Sequence, residues 1–450
     1  MNREPPINVR RLPKDPGHSG WNALLEQAPE ATPLGGKLDA DWLVIGAGFA
    51  GLGAVRRLAQ LNPEAKIVLL EASRIGAGPA GRNSGFMIDL PHDLTSKDYG
   101  GDIERDRAQI AANRHAISFA AEMAEEFGLG QEAFDPCGKI NGAASAKGSK
   151  HNREYAAHLD ALGESYEHFD ASRMHEITGS TYYESGLFTP GTVMIQPAAF
   201  VRSLAGRLVS NRVSLFEESP VIDLRRNGSG WRAETPKGAV TAPKVILAVN
   251  GHLESFGFKS GYLMHVFTYA SMTRALNRDE VTKLGGEAWW GITPADPVGT
   301  TVRRISGGGG DRLIIRNRFT YEPNLEVSDE AMARIVRTHD RSFAARFPML
   351  GKVEMEYRWG GRLCLTRNGV GVTEEVAPGL WAACVQNGLG TVRGLLAGIV
   401  AAEASSGEVS AVAKQVLQEP EPTKLPPAPI AALGARALLH WQEMRAGREL

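Results

Sequence analysis

Residues 41–61 read DWLVIGAGFAGLGAVRRLAQL, and this stretch constrains the fold more than any other. WLVIG is a short apolar run of buried-strand type, and Ala47 to Leu61 then repeat with the spacing of a helix. AKIVLLEA, residues 65–72, is a second buried strand, so the whole is a strand–helix–strand unit opening a parallel sheet. Gly46, Gly48 and Gly51 form GxGxxG between strand and helix, and an acid, Glu71, closes the next strand. Gly46 permits the tight turn, Gly48 lets backbone approach a pyrophosphate, and Gly51 lets helix and strand pack closely. The helix N-terminus offers free N–H groups and a positive dipole end, and Glu71 can accept from ribose hydroxyls. The unit predicts a dinucleotide site. By itself it does not distinguish FAD from NAD.

Bulk properties narrow the surroundings. The chain has 450 residues, too many for one simple core, so two domains are expected, interleaved or in series. A formal net charge of −1 gives no sign of a nucleic-acid binder. Cys137, Cys364 and Cys384 lie too far apart for a metal set or a disulfide framework, which fits reduced thiols in a cytoplasmic enzyme with no metal. The first residues, MNREPPINVRRLPKDPG, lack the apolar core of a signal peptide, and no apolar run is long enough for a membrane span.

Along the chain, residues 1–37 read as an extended, proline-containing arm. Residues 102–127 predict a long amphipathic helix, 150–190 helices and turns, and 196–209 a further helix. VIDLRRNGSGWRAETPKGAVTAPKVILAVNG reads as strands joined by turns, with NGSG as a hairpin signal. YLMHVFTYASMTRA (262–275) and DRLIIRNRFT (311–320) read as strands of a second sheet, and 380–405 as strand, glycine turn and helix. EPEPTKLPPAPI is a linker before a last helix, so 418–450 form a terminal appendage.

VIGAGFAGLGAVRRLAQ followed by LLEASRIGAGPAGRNSGF resembles the flavin-dependent oxidoreductases of the D-amino-acid oxidase superfamily. The branch holding sarcosine-type amine oxidases and gamma-glutamylputrescine oxidase is the most similar. Gly78, Gly81, Arg82, Asn83 and Gly85 match its glycine-rich loop, whereas Pro79 and Ala80 stand where alanine and serine are usual. VILAVNGH (245–252), YRWGGRLCLTRNGVG (357–371) and QNGLGTVRG (386–394) resemble later segments in the right order. The resemblance implies an α/β fold: a Rossmann-type FAD-binding domain assembled from 38–90, 196–251 and 351–417. A mainly antiparallel substrate domain from 91–195 and 252–350 would be interleaved with it. It implies FAD, with noncovalent attachment favoured because Cys364 stands two residues before Thr366 rather than three. The implied cofactor contacts are Gly46, Gly48, Phe49, Ala50 and Gly51 in the first turn, then Glu71, Ala72, Ser73 and Arg74 after the second strand. Ala80, Gly81, Arg82, Asn83, Ser84, Gly85 and Met87 follow in the loop, where Arg82 and Asn83 would supply donors and Phe86 and Met87 would begin an apolar flavin wall. Val221, Ala248, Asn250, Gly251, Gly361, Gly388, Leu389, Gly390 and Thr391 complete the set.

The activity implied is oxidation of the C–N bond of a secondary amine, an N-substituted amino acid or a gamma-glutamylated amine. Hydride would pass to flavin N5 and the imine would hydrolyse to an aldehyde or keto acid. O2, yielding H2O2, or another acceptor would reoxidise the flavin. Strand alternation places Arg312, Arg316 and Arg318 on one side, where they hold a substrate carboxylate or form a solvated edge. Tyr269 shares a face with Leu263, His265 and Phe267, either as pocket wall or as ordinary packing. Trp359 is a pocket aromatic or a core tryptophan. Arg316, Arg318, Trp359 and Tyr269 are therefore the catalytic candidates. The rival functions are a same-fold FAD dehydrogenase of 2-hydroxy acids or a subunit of a larger complex, an NAD(P) dehydrogenase, and a nucleotide sensor without turnover.

Overall fold

The computed structural model describes residues 6–27, 30–91 and 101–450. Two large sheets organise it. The first has six strands in the order Val213–Phe216, Ile67–Leu70, Trp42–Ile45, Lys244–Leu247, Leu380–Cys384, Val372–Ala377. The first five run parallel, and only the last is antiparallel to its neighbour. WLVI and IVLL are buried at every residue, as expected of parallel strands covered on both faces. One cover is helical: Phe49–Leu61, Pro197–Leu208 and Val392–Ser406 pack there with the long helix Ile103–Glu126. Helices Phe49–Leu61 and Val392–Ser406 touch backbone to backbone, and a Cβ on Gly398 would stand 2.0 Å from the Ala50 carbonyl oxygen. The other cover is a five-stranded sheet of Ile7–Asn8, Asp223–Asn227, Gly230–Glu234, Gly238–Ala242 and Gly36–Asp39.

The second large sheet has eight strands in the order Met355–Thr366, Leu263–Thr273, Arg312–Tyr321, Thr301–Ile305, Trp290–Pro294, Lys139–Ala143, Ser185–Thr189, Glu167–Asp170. All pairs are antiparallel except Trp290–Pro294 with Lys139–Ala143. The fold class is thus the α/β arrangement expected, with a mainly antiparallel second sheet.

Three departures from the sequence reading have physical causes. Met355–Thr366, placed by sequence within the cofactor segment 351–417, pairs along its length with Leu263–Thr273 and is an edge strand of the eight-stranded sheet. Residues 150–190 contain two strands besides helices Ala146–Leu162 and Ala171–Thr178, because short edge strands such as EHFD carry too few alternating residues to declare themselves. The N-terminal segment is not a free arm. Ile7–Asn8 joins the five-stranded sheet, Trp21 is buried, and Gly360 N–H donates to the Pro16 carbonyl at 3.0 Å.

Candidate functional site

A large cavity opens between the carboxyl ends of the parallel strands and the eight-stranded sheet. That is where open α/β sheets place ligands. Its first wall is the Gly46–Gly51 turn. Gly46 has φ +104°, and a Cβ there would lie 2.5 Å from the Ala248 carbonyl oxygen. A Cβ on Gly51 would lie 1.8 Å from the Gly46 carbonyl oxygen, so this residue closes helix onto turn and does not itself face the cavity. Gly48 differs: an added Cβ would meet only the Ala80 Cβ, at 3.5 Å, and would fill cavity space instead. Gly48 caps the helix without a side-chain bond, so the first-turn N–H groups at Phe49 and Ala50 are left for an anion. Helix Val392–Ser406 also begins uncapped by a side chain, and Gly388, Leu389, Gly390 and Thr391 bring its start to the same cavity. Among the described residues, five arginines line the space, Arg11, Arg74, Arg82, Arg316 and Arg362, against one carboxylate, Glu71. Two bare helix N-termini and this charge balance fit a dianionic dinucleotide.

Further implied cofactor contacts gather here as well. Glu71, Ala72, Ser73, Arg74, Val221, Ala248, Asn250 and Gly251 all line the cavity. Glu71 accepts from Ala47 N–H at 2.9 Å and Ser73 N–H at 3.0 Å, which fixes its carboxylate at the strand end.

The glycine-rich loop works differently from its sequence reading. Ala80, Arg82, Asn83 and Ser84 line the cavity, but Gly81, Gly85 and Met87 do not. Gly81 packs on the Gly76 carbonyl, and Gly85, at φ +77°, lies against Arg303. Met87 is wholly buried in the helical core; strand alternation turns Phe86 and Ile88 to the cavity in its place. Arg82 spends its donors on carbonyls, at Ala77 (2.5 Å), Pro16 (3.0 Å), Gly360 (3.2 Å) and Gly17 (3.1 Å). Burial lowers its pKa. Asn83 likewise braces the loop, donating to Ala80 O at 2.7 Å and accepting from Gly85 N–H at 2.8 Å. These two side chains shape the loop rather than reach out from it.

On the second wall Tyr269, Arg316 and Gly361 line the cavity, whereas Arg318 and Trp359 do not. The reason for Arg318 is a bulge. Thr268 pairs with Phe319 and Tyr269 with Asn317, leaving Arg318 as the extra residue at φ +63°. Its side chain turns away to Glu443 at 2.8 Å. Arg312 is also withdrawn, bonded to Glu356 and to Thr273 O (2.7 Å). The guanidinium of Arg316 stays at the cavity, 4.8 Å from the Phe319 ring centroid. Trp359 is a core residue packed with Trp21, Met272 and Ile305, and its indole N–H donates to Arg82 O at 3.0 Å. The Tyr269 hydroxyl bonds Thr320 Oγ1 at 2.7 Å, and burial pushes its pKa up to about 12, so it remains a neutral phenol. Cys364 is a buried thiol whose pKa burial raises well above normal, which disfavours the thiolate a covalent flavin link needs.

Several contributors had no signal in the sequence. Arg11, Leu12 and Pro13 of the N-terminal segment line the cavity, and Asp15 bonds Arg362 at 3.1 Å beneath them. Arg303, within the unremarkable run VRRIS, is buried against Trp21, Phe86 and Trp289. His252 contacts Arg362, and burial followed by that cation pushes its pKa down to about 3. His339, behind the sheet, is pushed to about 3 by burial and then by Arg358. Both are neutral when folded and take up a proton near the ordinary value when unfolded. The fold should therefore be fully stable above about pH 6.5 and lose about 1.4 kcal/mol per pH unit for each histidine on acidification towards pH 3. Denaturation between pH 7 and 5 tests this, and His339→Asn should flatten the slope by one proton's worth. An unchanged slope would refute the assignment of that histidine.

Among the described residues no group of His, Cys, Asp and Glu side chains could hold a metal, and no single helix is long and apolar enough to cross a membrane. The sequence profile of the FAD-dependent oxidoreductase family matches residues 41–404. A probable oxidoreductase OrdL of Rhizobium meliloti is 25% identical over 409 residues, covering 88% of this chain and 90% of its own. Gamma-glutamylputrescine oxidoreductase of Escherichia coli is 24% identical, covering 74% and 76%. Among solved structures, glycine oxidase of Geobacillus kaustophilus superposes with a TM-score of 0.67 at 18% identity, covering 83% of this chain and 96% of its own. The L-amino acid deaminase of Proteus myxofaciens superposes with the same score at 16% identity, covering 90% and 97%. The profile spans most of the chain, and the cavity carries a dinucleotide turn, a second bare helix start and an arginine-rich lining; the chain belongs to the family of FAD-dependent oxidoreductases.

Proposed function

We propose that this protein oxidises the C–N bond of an amine that also carries a carboxylate, such as an N-substituted amino acid or a gamma-glutamylated amine. Bound FAD supplies the two-electron acceptor for the C–H bond beside the nitrogen, and O2 or another acceptor takes the electrons onward. The observation that carries this reading is Arg316. Strands Leu263–Thr273, Trp290–Pro294, Thr301–Ile305 and Arg312–Tyr321 bring His265, Thr268, Tyr269, Ala270, Thr293, Thr301 and Arg316 to the cavity. Arg316 would bind the substrate carboxylate, and its positive charge disfavours an ammonium ion nearby. An amine held there is biased to the neutral form that can release hydride, with no strong base required. A 2-hydroxy acid would need a base for its hydroxyl proton. The name of the gamma-glutamylputrescine oxidoreductase relative supports an amine substrate.

A peroxide and dye-reduction screen of amines should identify a carboxylated substrate. Arg316→Leu should then raise KM about 10- to 100-fold for that substrate, as for loss of a charge-assisted hydrogen bond, with little change for an uncharged amine analogue. Equal losses on both would remove Arg316 from carboxylate binding.

A further inference from the structure

The C-terminal helix Ala428–Ala446 docks on the eight-stranded sheet by one face only. Leu439, Ala446 and Leu450 pack on Val266, Val298 and Phe319, and Glu443 bonds Arg318 and the Phe319 N–H. Its other face is bare and apolar. Of eight large hydrophobic side chains exposed among the described residues, five belong to this helix: Ile430, Leu433, Leu438, Trp441 and Met444, each between 48% and 72% exposed. At about 100° per residue, Ile430, Ala437, Trp441 and Met444 fall within one narrow stripe, bordered by Leu433 on one side and Leu438 on the other.

The helix's own charges beside the stripe are of one sign. Arg436 lies beyond the Leu433 border, and Arg445 flanks the Leu438 border with its guanidinium 4.6 Å from the Trp441 ring centroid. The helix has one acid, Glu443, and that is turned inward to Arg318. Pairing this face with a second copy about a twofold axis would bring arginines together with no helix carboxylate to answer them. An apolar stripe with a tryptophan and basic borders is instead the pattern of a helix lying in the headgroup layer of a membrane.

We infer that this helix is a peripheral anchor for anionic lipid surfaces, with the apolar stripe seated among acyl chains and Arg436 and Arg445 on headgroup phosphates. The inference does not depend on the substrate. Full-length, flavin-loaded protein should co-sediment with vesicles of phosphatidylcholine containing about 30% phosphatidylglycerol, and about tenfold less with phosphatidylcholine alone. About 0.5 M salt should weaken the binding. Leu433→Gln with Trp441→Ser, and separately Arg436→Gln with Arg445→Gln, should each lower binding about tenfold while leaving flavin content and Tm unchanged, since all four side chains are exposed. Equal sedimentation of wild type and variants, or none by the wild type, overturns the anchor. So does light scattering that shows a wild-type dimer and a monomeric Leu433→Gln, Trp441→Ser variant, which would assign the face to a second copy.

Discussion

Arg303→Met is expected to loosen the glycine-rich loop and to lower stability by about 1–3 kcal/mol, the range for leaving buried carbonyls without a donor. Arg303 is 1% exposed, and its Nη1 donates to the carbonyls of Ile195 (2.7 Å), Ser84 (3.1 Å) and Gly85 (3.1 Å). Trp21, Phe86 and Trp289 surround the guanidinium at 5.2–5.5 Å from their ring centroids. Burial lowers its pKa to about 10, which still leaves it charged at neutral pH. One side chain thus holds the end of the glycine-rich loop, the strand after it and the N-terminal segment together. Methionine fills much of the volume but donates nothing, so the Ser84 and Ile195 carbonyls lose this donor where water has little access, while Gly85 O keeps the Ile195 N–H at 2.9 Å. A fall in Tm together with a fall in the ratio of flavin to protein absorbance is the expected result. An Arg303→Met protein with normal flavin content and Tm would show that the loop needs no such clamp.

Gly48→Val is expected to fold but to lose FAD, by about 100-fold or more in affinity. Gly48 has φ −84°, which any residue adopts, and an added Cβ meets only Ala80 at 3.5 Å. No described residue opposes a Cβ there, but the side chain would occupy the surface that a pyrophosphate must approach. Gly51→Val makes the contrast, because its Cβ would stand 1.8 Å from the Gly46 carbonyl oxygen and the turn itself would have to break. Purified Gly48→Val should therefore be colourless with a melting temperature close to that of wild-type apoprotein, and Gly51→Val should melt far lower. If Gly48→Val retains wild-type FAD affinity, the diphosphate does not lie at this turn.

How much of this was legible beforehand depended on how local the determinants are. The strand–turn–helix with Glu71 is fixed by neighbouring residues, and the sequence reading located it. The face of the Arg312–Tyr321 strand was not local. Alternation predicts Arg316 and Arg318 together, but the bulge at Arg318 arises from pairing with Leu263–Thr273, some fifty residues earlier, and it separates them. Met87 failed by parity: a two-residue strand gives no pattern from which to decide that Phe86 and Ile88, not Met87, face the cavity. Arg82 and Asn83 were recognised as special, but three of the carbonyls that hold Arg82, at Pro16, Gly17 and Gly360, are distant in sequence and could not be inferred. Trp359 was read as aromatic wall or core; burial with Trp21 decides for core. The N-terminal segment looked like an appendage because proline and charge dominate it, yet backbone hydrogen bonds and the Asp15–Arg362 pair seat it over the cavity.

Amine oxidation is the central claim, and anaerobic titration of the flavin-loaded protein tests it most directly. Reduction of the visible flavin bands by a carboxylated secondary amine or gamma-glutamylated amine, with none by the matching 2-hydroxy acids, is the expected result. Bleaching by hydroxy acids and by no amine would contradict it.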